Sequence, residues 1–165
     1  MKKLLVILLL LFPVHGAWAN DNDFVEFFSG ACYWTIHDLS LVRTLAKTQK
    51  WKSLPEDLKV FGNPIEKGEY DAWMAKNKNQ KILVAINETS QAKTCTNIIE
   101  EGNLEKILSI LKRNFKLRLI SDETEGFQKF LQYVVNSTQG EVYISIVTHS
   151  NPSIKTIHLS VSILK

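Results

Sequence analysis

The chain has 165 residues, 45% of them hydrophobic and 22% charged, with 20 basic and 17 acidic side chains. That length suits a single domain with one core. A net charge of +3 gives no basic field of the kind that draws nucleic acid or an anionic membrane.

Lys2 and Lys3 precede an unbroken apolar run from Leu4 to Phe12. A bilayer span takes about 20 apolar residues, so this run suits the core of a signal peptide instead. Pro13 and Gly16 end it, and Ala17-Trp18-Ala19 matches the small-x-small pattern of a signal-peptidase site. Residues 1–19 are therefore read as a signal peptide, cleaved between Ala19 and Asn20, with 20–165 as one domain. Loss of Lys2 and Lys3 leaves 18 basic against 17 acidic residues, a net charge of +1 over 146 residues. The expected location is periplasmic or secreted, most simply the periplasm of a Gram-negative bacterium, with no stable membrane anchor after cleavage. Ser29-Gly30-Ala31-Cys32 is not a lipobox, because Ser29 stands where leucine is usual and the cysteine lies well beyond the apolar run.

From Phe24 to Leu45 apolar residues recur at three- and four-residue steps, which predicts an amphipathic helix over about 23–49. Trp34, Ile36 and Leu41 widen its apolar face and predict cover on more than one side. Gly30 lowers its helix propensity and is expected to allow a close approach. Leu54-Pro55-Glu56-Asp57-Leu58 predicts a second, short helix, ended by Gly62-Asn63-Pro64, with a loop through Gly68. Strands follow. Residues 70–76 and 81–88 flank a hairpin turn at Asn77-Lys78-Asn79-Gln80, and a third strand holds Cys95. Asn103 caps a helix carrying Leu104, Ile107, Leu108, Leu111 and Phe115. Phe115, Leu117 and Leu119 then alternate with Lys116 and Arg118 as a strand begins. Residues 127–136, 141–149 and 154–164 are three more strands. In the last, Ile157, Leu159, Val161 and Ile163 face one way and His158, Ser160 and Ser162 the other. The fold class is α+β: N-terminal helices, then an antiparallel sheet of about six or seven strands with one packed helix.

The two cysteines allow one pairing. In an oxidising compartment a Cys32–Cys95 disulfide is expected, with a catalytic thiol as the lesser alternative. No Cys-x-x-Cys is present. His37, on the same predicted helix as Cys32, is on the wrong side for a thiol–imidazole pair.

Candidate sites are few. His37-Asp38 reads as a surface pair. His149 and His158 are expected as cross-strand neighbours near Ser160 and Ser162, without a visible orienting acid or oxyanion hole and without a third metal ligand. No metal site and no cofactor is expected. Residues 76–81 and the run Lys112, Arg113, Lys116, Arg118 are basic, but no aromatic residues are interleaved with them as a nucleic-acid platform needs. Glu123 and Glu125 form a loop pair. The sequons at Asn87 and Asn136 are read as coincidental. The candidate binding face is the polar side of the C-terminal sheet: Tyr143, Ser145, Thr156, His158, Ser160 and Ser162.

Phe28 and Cys32 on a helix, Leu54-Pro55, Trp73 in the first strand and then Cys95 form a pattern that resembles a group of small, uncharacterised exported bacterial proteins, lipoprotein-like or periplasmic. The likeness covers about residues 24–100 and rests on single residues at wide spacing. It implies a small disulfide-bonded envelope domain and carries no catalytic residue. The missing lipobox sets this chain apart from an anchored lipoprotein. The functional expectation is a non-enzymatic domain that binds a protein partner or other component of the cell envelope. An inhibitor or immunity protein against an envelope-acting toxin or hydrolase is a special case. The rival is a small hydrolase whose site is assembled from distant residues.

Overall fold

A computed structural model describes residues 21–55, 69–151 and 154–165. The signal peptide, its cleavage site at Ala19 and Asn20, the body of the short helix expected near 54–58, its Gly62-Asn63-Pro64 stop and the loop through Gly68 lie outside the described residues. Leu54 and Pro55 are described and are not helical; the Leu54 backbone N–H donates to the carbonyl of Ala72 at 2.9 Å.

The first helix is not continuous over 23–49. It divides into α1 (Asp21–Phe28), a π-helical turn (Ser29–Tyr33) and α2 (Ser40–Thr48). The cause is local. The Thr35 hydroxyl donates to the carbonyls of Ala31 and Cys32 at 2.7 and 3.2 Å, competing with the helical ladder. Asp38 accepts from the Ser40 backbone N–H at 3.0 Å in the turn that precedes α2, whose N-cap is Leu39. The π turn shifts the helical phase, so Trp34 and Leu41 are exposed rather than covered, whereas Ile36 is buried. Gly30 faces open space, with nothing within 4 Å of where a Cβ would sit, so the expected close approach is absent.

The described strands number eight, not six or seven: β1 (Lys52–Ser53), β2 (Glu69–Asn77), β3 (Gln80–Glu88), β4 (Ala92–Glu100), β5 (Arg118–Glu125), β6 (Gln128–Ser137), β7 (Gly140–Asn151) and β8 (Ile154–Leu164). The additional strand is β1, a two-residue edge piece too short to show a period. All pairings are antiparallel and the spatial order is β1-β2-β3-β4-β8-β7-β6-β5. Two meanders are thus joined where the last strand lies against β4. Helix α3 (Leu104–Asn114) connects them, capped as expected by Asn103, whose side chain accepts from the Lys106 backbone N–H at 3.0 Å.

Strand alternation assigns each residue to one face. Ala75, Ile82, Val84, Ile86, Cys95, Ile99, Ile144, Ile146, Leu159 and Val161 all take the same face and pack with Phe24, Phe28, Cys32, Ile107 and Leu111 in the core. The helices therefore cover one side of the sheet. The Cys32–Cys95 disulfide ties the π turn to β4, with Cα atoms 5.3 Å apart and both residues fully buried. Buried Asn97 places its Oδ1 3.3 Å from the Cys32 sulfur. Polar ties hold the rim of the helical layer. Arg43 of α2 donates to Asp71 of β2 at 2.7 Å, Lys93 donates to the His37 carbonyl at 2.9 Å, and Lys78 bonds Asp23 at 2.8 Å. The 76–81 loop is thus partly anchored rather than wholly solvated, and His37 contributes its backbone, not its ring.

Candidate functional site

The second face of the sheet, turned away from the helices, carries the expected binding residues. Register places them in rows that run across the strands. One row is Asn87, Thr94, Ser162, Tyr143. The next is Ala72, Ala85, Thr96, Ser160, Ser145, Gln132. A third is Met74, Leu83, Ile98, His158, Val147, Phe130, and Thr156 and His149 are paired in a fourth. Every one of the six residues expected from sequence is on this face, and the two strands that hold them are neighbours.

The hydroxyls are engaged with one another. Thr94 and Ser162 lie 2.9 Å apart and Thr96 and Ser160 2.8 Å apart, oxygen to oxygen, across the β4–β8 pair. The sequence reading missed Thr94 and Thr96. Their alternation with Cys95 was the available signal, since a buried Cys95 sends its neighbours to the opposite face. Tyr143 donates to Glu141 at 2.7 Å, and that bond raises the phenol pKa.

The histidines meet here as expected. His149 and His158 have ring centroids 5.0 Å apart at an angle of 44°. His149 Nδ1 lies 3.2 Å from Gln128 Nε2, and His158 Nε2 lies 3.2 Å from the Thr156 hydroxyl. Burial first, and the neighbouring His149 second, pull the His158 pKa down to about 4, so its ring is neutral at physiological pH. Ser160 and Ser162 bond threonines, not these imidazoles. Among the described residues no group of three or more His, Cys, Asp or Glu side chains could hold a metal ion.

This face is more apolar than its strand β8 suggested. Met74, Leu83, Ile98, Val147 and Phe130 surround His158 in a row, all half-buried. Each comes from a different strand, so no single segment of sequence reveals the row. Glu123 and Glu125, read as a loop pair, are in β5 and exposed. Lys112 and Arg113 close α3, whereas Arg118 opens β5 and approaches Glu141 at 3.9 Å.

No family model, curated protein or solved structure matches the chain.

Proposed function

We propose that the chain is an exported envelope domain that acts by binding a protein on the open face of its sheet. The observation that carries this reading is the third row of that face: five half-buried apolar side chains around a neutral, half-buried histidine, beside a ladder of mutually bonded hydroxyls. The Thr94–Ser162 and Thr96–Ser160 hydroxyls satisfy one another, so a partner can cover that ladder beside the apolar row without stranding them. Export is supported by the Lys2–Lys3 start, the Leu4–Phe12 run and Ala17-Trp18-Ala19. The buried disulfide supports an oxidising compartment. No helix among the described residues is long and apolar enough to cross a membrane.

A binder aimed at an envelope-acting toxin or hydrolase is the form this reading takes for an inhibitor or immunity protein. The rival is a small hydrolase with a site assembled from distant residues; a serine–histidine version of it on this face would use Ser160 or Ser162, whose hydroxyls bond threonines instead.

The test is site-specific photocrosslinking in the exporting host, with the probe at Val147 or Ser160 on the open face and at Leu41 on the helical layer as control. The expected result is a discrete protein adduct from the first two positions only, on a chain that begins at Asn20. Equal adducts from Leu41, or none from the open face, overturn the reading.

A further inference from the structure

We infer that the open face docks against the same face of a second copy of this chain, so that two sheets form a sandwich about a two-fold axis. The inference rests on the binding reading above and names its partner.

The argument is one of self-complementarity. A two-fold interface brings each residue against a different residue of the same patch, twice over. The sheet order β1-β2-β3-β4-β8-β7-β6-β5 has its midpoint between β4 and β8. An axis parallel to the strands at that midpoint lays β4 over β8, β3 over β7, β2 over β6 and β1 over β5 of the other copy. The third row can then be read outward in both directions. Ile98 meets His158, Leu83 meets Val147, and Met74 meets Phe130. At the ends, Lys52, paired with Met74, meets Glu123, paired with Phe130. Both charges are exposed. In the second row Thr96 meets Ser160, both half-buried, whereas Ala72 and Ala85 are already buried within the chain and add no contact.

Charge follows the same rule. Lys52, Lys76 and Lys81 lie at one end of the face and Glu123 and Glu125 at the other; Arg118 and Glu141 pair with each other, and Glu100 lies on β4 near the middle. Lys76 and Lys81 are direct cross-strand partners, a like-charge pairing that is unfavourable in isolation. The two-fold axis brings Lys52 over Glu123 of the second copy, while Lys76 and Lys81 fall over Gln128 and His149. His158 would lie against Ile98, as suits an imidazole that burial keeps neutral.

Size is adequate. Eight strands at about 4.8 Å and four rows at about 6.7 Å give a sheet footprint of roughly 1,000 Å² per copy, large enough to hold an interface of standard size. Sheets packed this way stand about 10 Å apart with strands within about 30° of each other.

The test uses the oxidised mature chain in sedimentation velocity over a wide concentration range. Wild type is expected to show a monomer–dimer equilibrium. Lys52→Glu alone and Glu123→Lys alone each weaken the homodimer about tenfold or more, because two attractive contacts become repulsive. Mixing the two variants restores a heterodimer, since each contact is then again Lys against Glu, and the double variant restores the homodimer. Both positions are exposed, and circular dichroism confirms that each variant is folded. A wild-type chain that stays monomeric overturns the pairing; if open-face probes still crosslink another protein, the binding reading survives without it. A dimer indifferent to both charge reversals also overturns it, because its interface then lies elsewhere.

Discussion

The imidazoles of His149 and His158 lie 5.0 Å apart, centroid to centroid, on a sheet face that carries Ile98 and Val147 on either side of His158. The lowered pKa of His158, about 4 against an ordinary 6.5, makes stability depend on pH. The unfolded chain takes up this proton first as pH falls. The stabilisation is therefore fully present above about pH 6.5 and is lost as pH falls towards 4. Discounted for the ring's partial exposure, it amounts to about 1–2 kcal/mol. Urea unfolding at fixed protein concentration should show the midpoint falling over that window. His158→Gln should flatten this part of the profile, and His149→Ala should raise the His158 pKa seen by NMR.

The disulfide should resist chemistry in the native state. Cys32 and Cys95 are both fully buried, so mild reductant should leave the intact mass unchanged after alkylation until denaturant is added. Replacing both by serine removes a cross-link over 63 positions, worth on the order of 4 kcal/mol in the chain-entropy description. A loss below about 1 kcal/mol would show that the bond is incidental to stability.

Asp21 joins two helix starts. Its Oδ1 accepts from the Asn103 backbone N–H at 3.1 Å and its Oδ2 lies 3.6 Å from Lys106 Nζ, with Asp21 nearly fully buried. Asp21→Ala should leave that N–H unpaired and lower stability by about 1–3 kcal/mol. Lys106→Ala should cost only a few tenths, because its ammonium is largely exposed. Equal losses would contradict the assignment of the backbone bond as the stronger tie.

Gly30 offers the opposite opportunity. It has open space where a Cβ would go and no positive φ. Gly30→Ala should therefore raise stability by about 0.5–1 kcal/mol, chiefly by restricting the unfolded chain. Thermal melts compare the two directly. A decrease would mean that the π turn needs glycine for a reason other than space.

Several local features were legible in the residues themselves. Asn103 announced a cap, Asn77 to Gln80 a hairpin, and the alternation from Ile157 to Ile163 a half-buried strand; the structure contains all three. The first helix was legible only in part. Its three- and four-residue steps run through the π turn without interruption, and the residues that form the break, Thr35 bonding back to Ala31 and Cys32 and Asp38 bonding to Ser40, sit inside that periodic run.

The sequence by itself determined the α+β class, the pairing of its two cysteines and the faces taken by the residues of the last strand, because these depend on local alternation or on arithmetic. Only the tertiary structure decided that β8 lies against β4, that β1 adds an edge, and that Met74, Leu83, Ile98, Val147 and Phe130 share a row with His158. Strand order is settled by which distant edges bury the most surface when paired. Neighbours in sequence usually pair, but here α3 comes between β4 and β5, and the second meander returns its last strand, not its first, to the first meander. A period of two says which way a side chain points; it does not say which strand lies beside it.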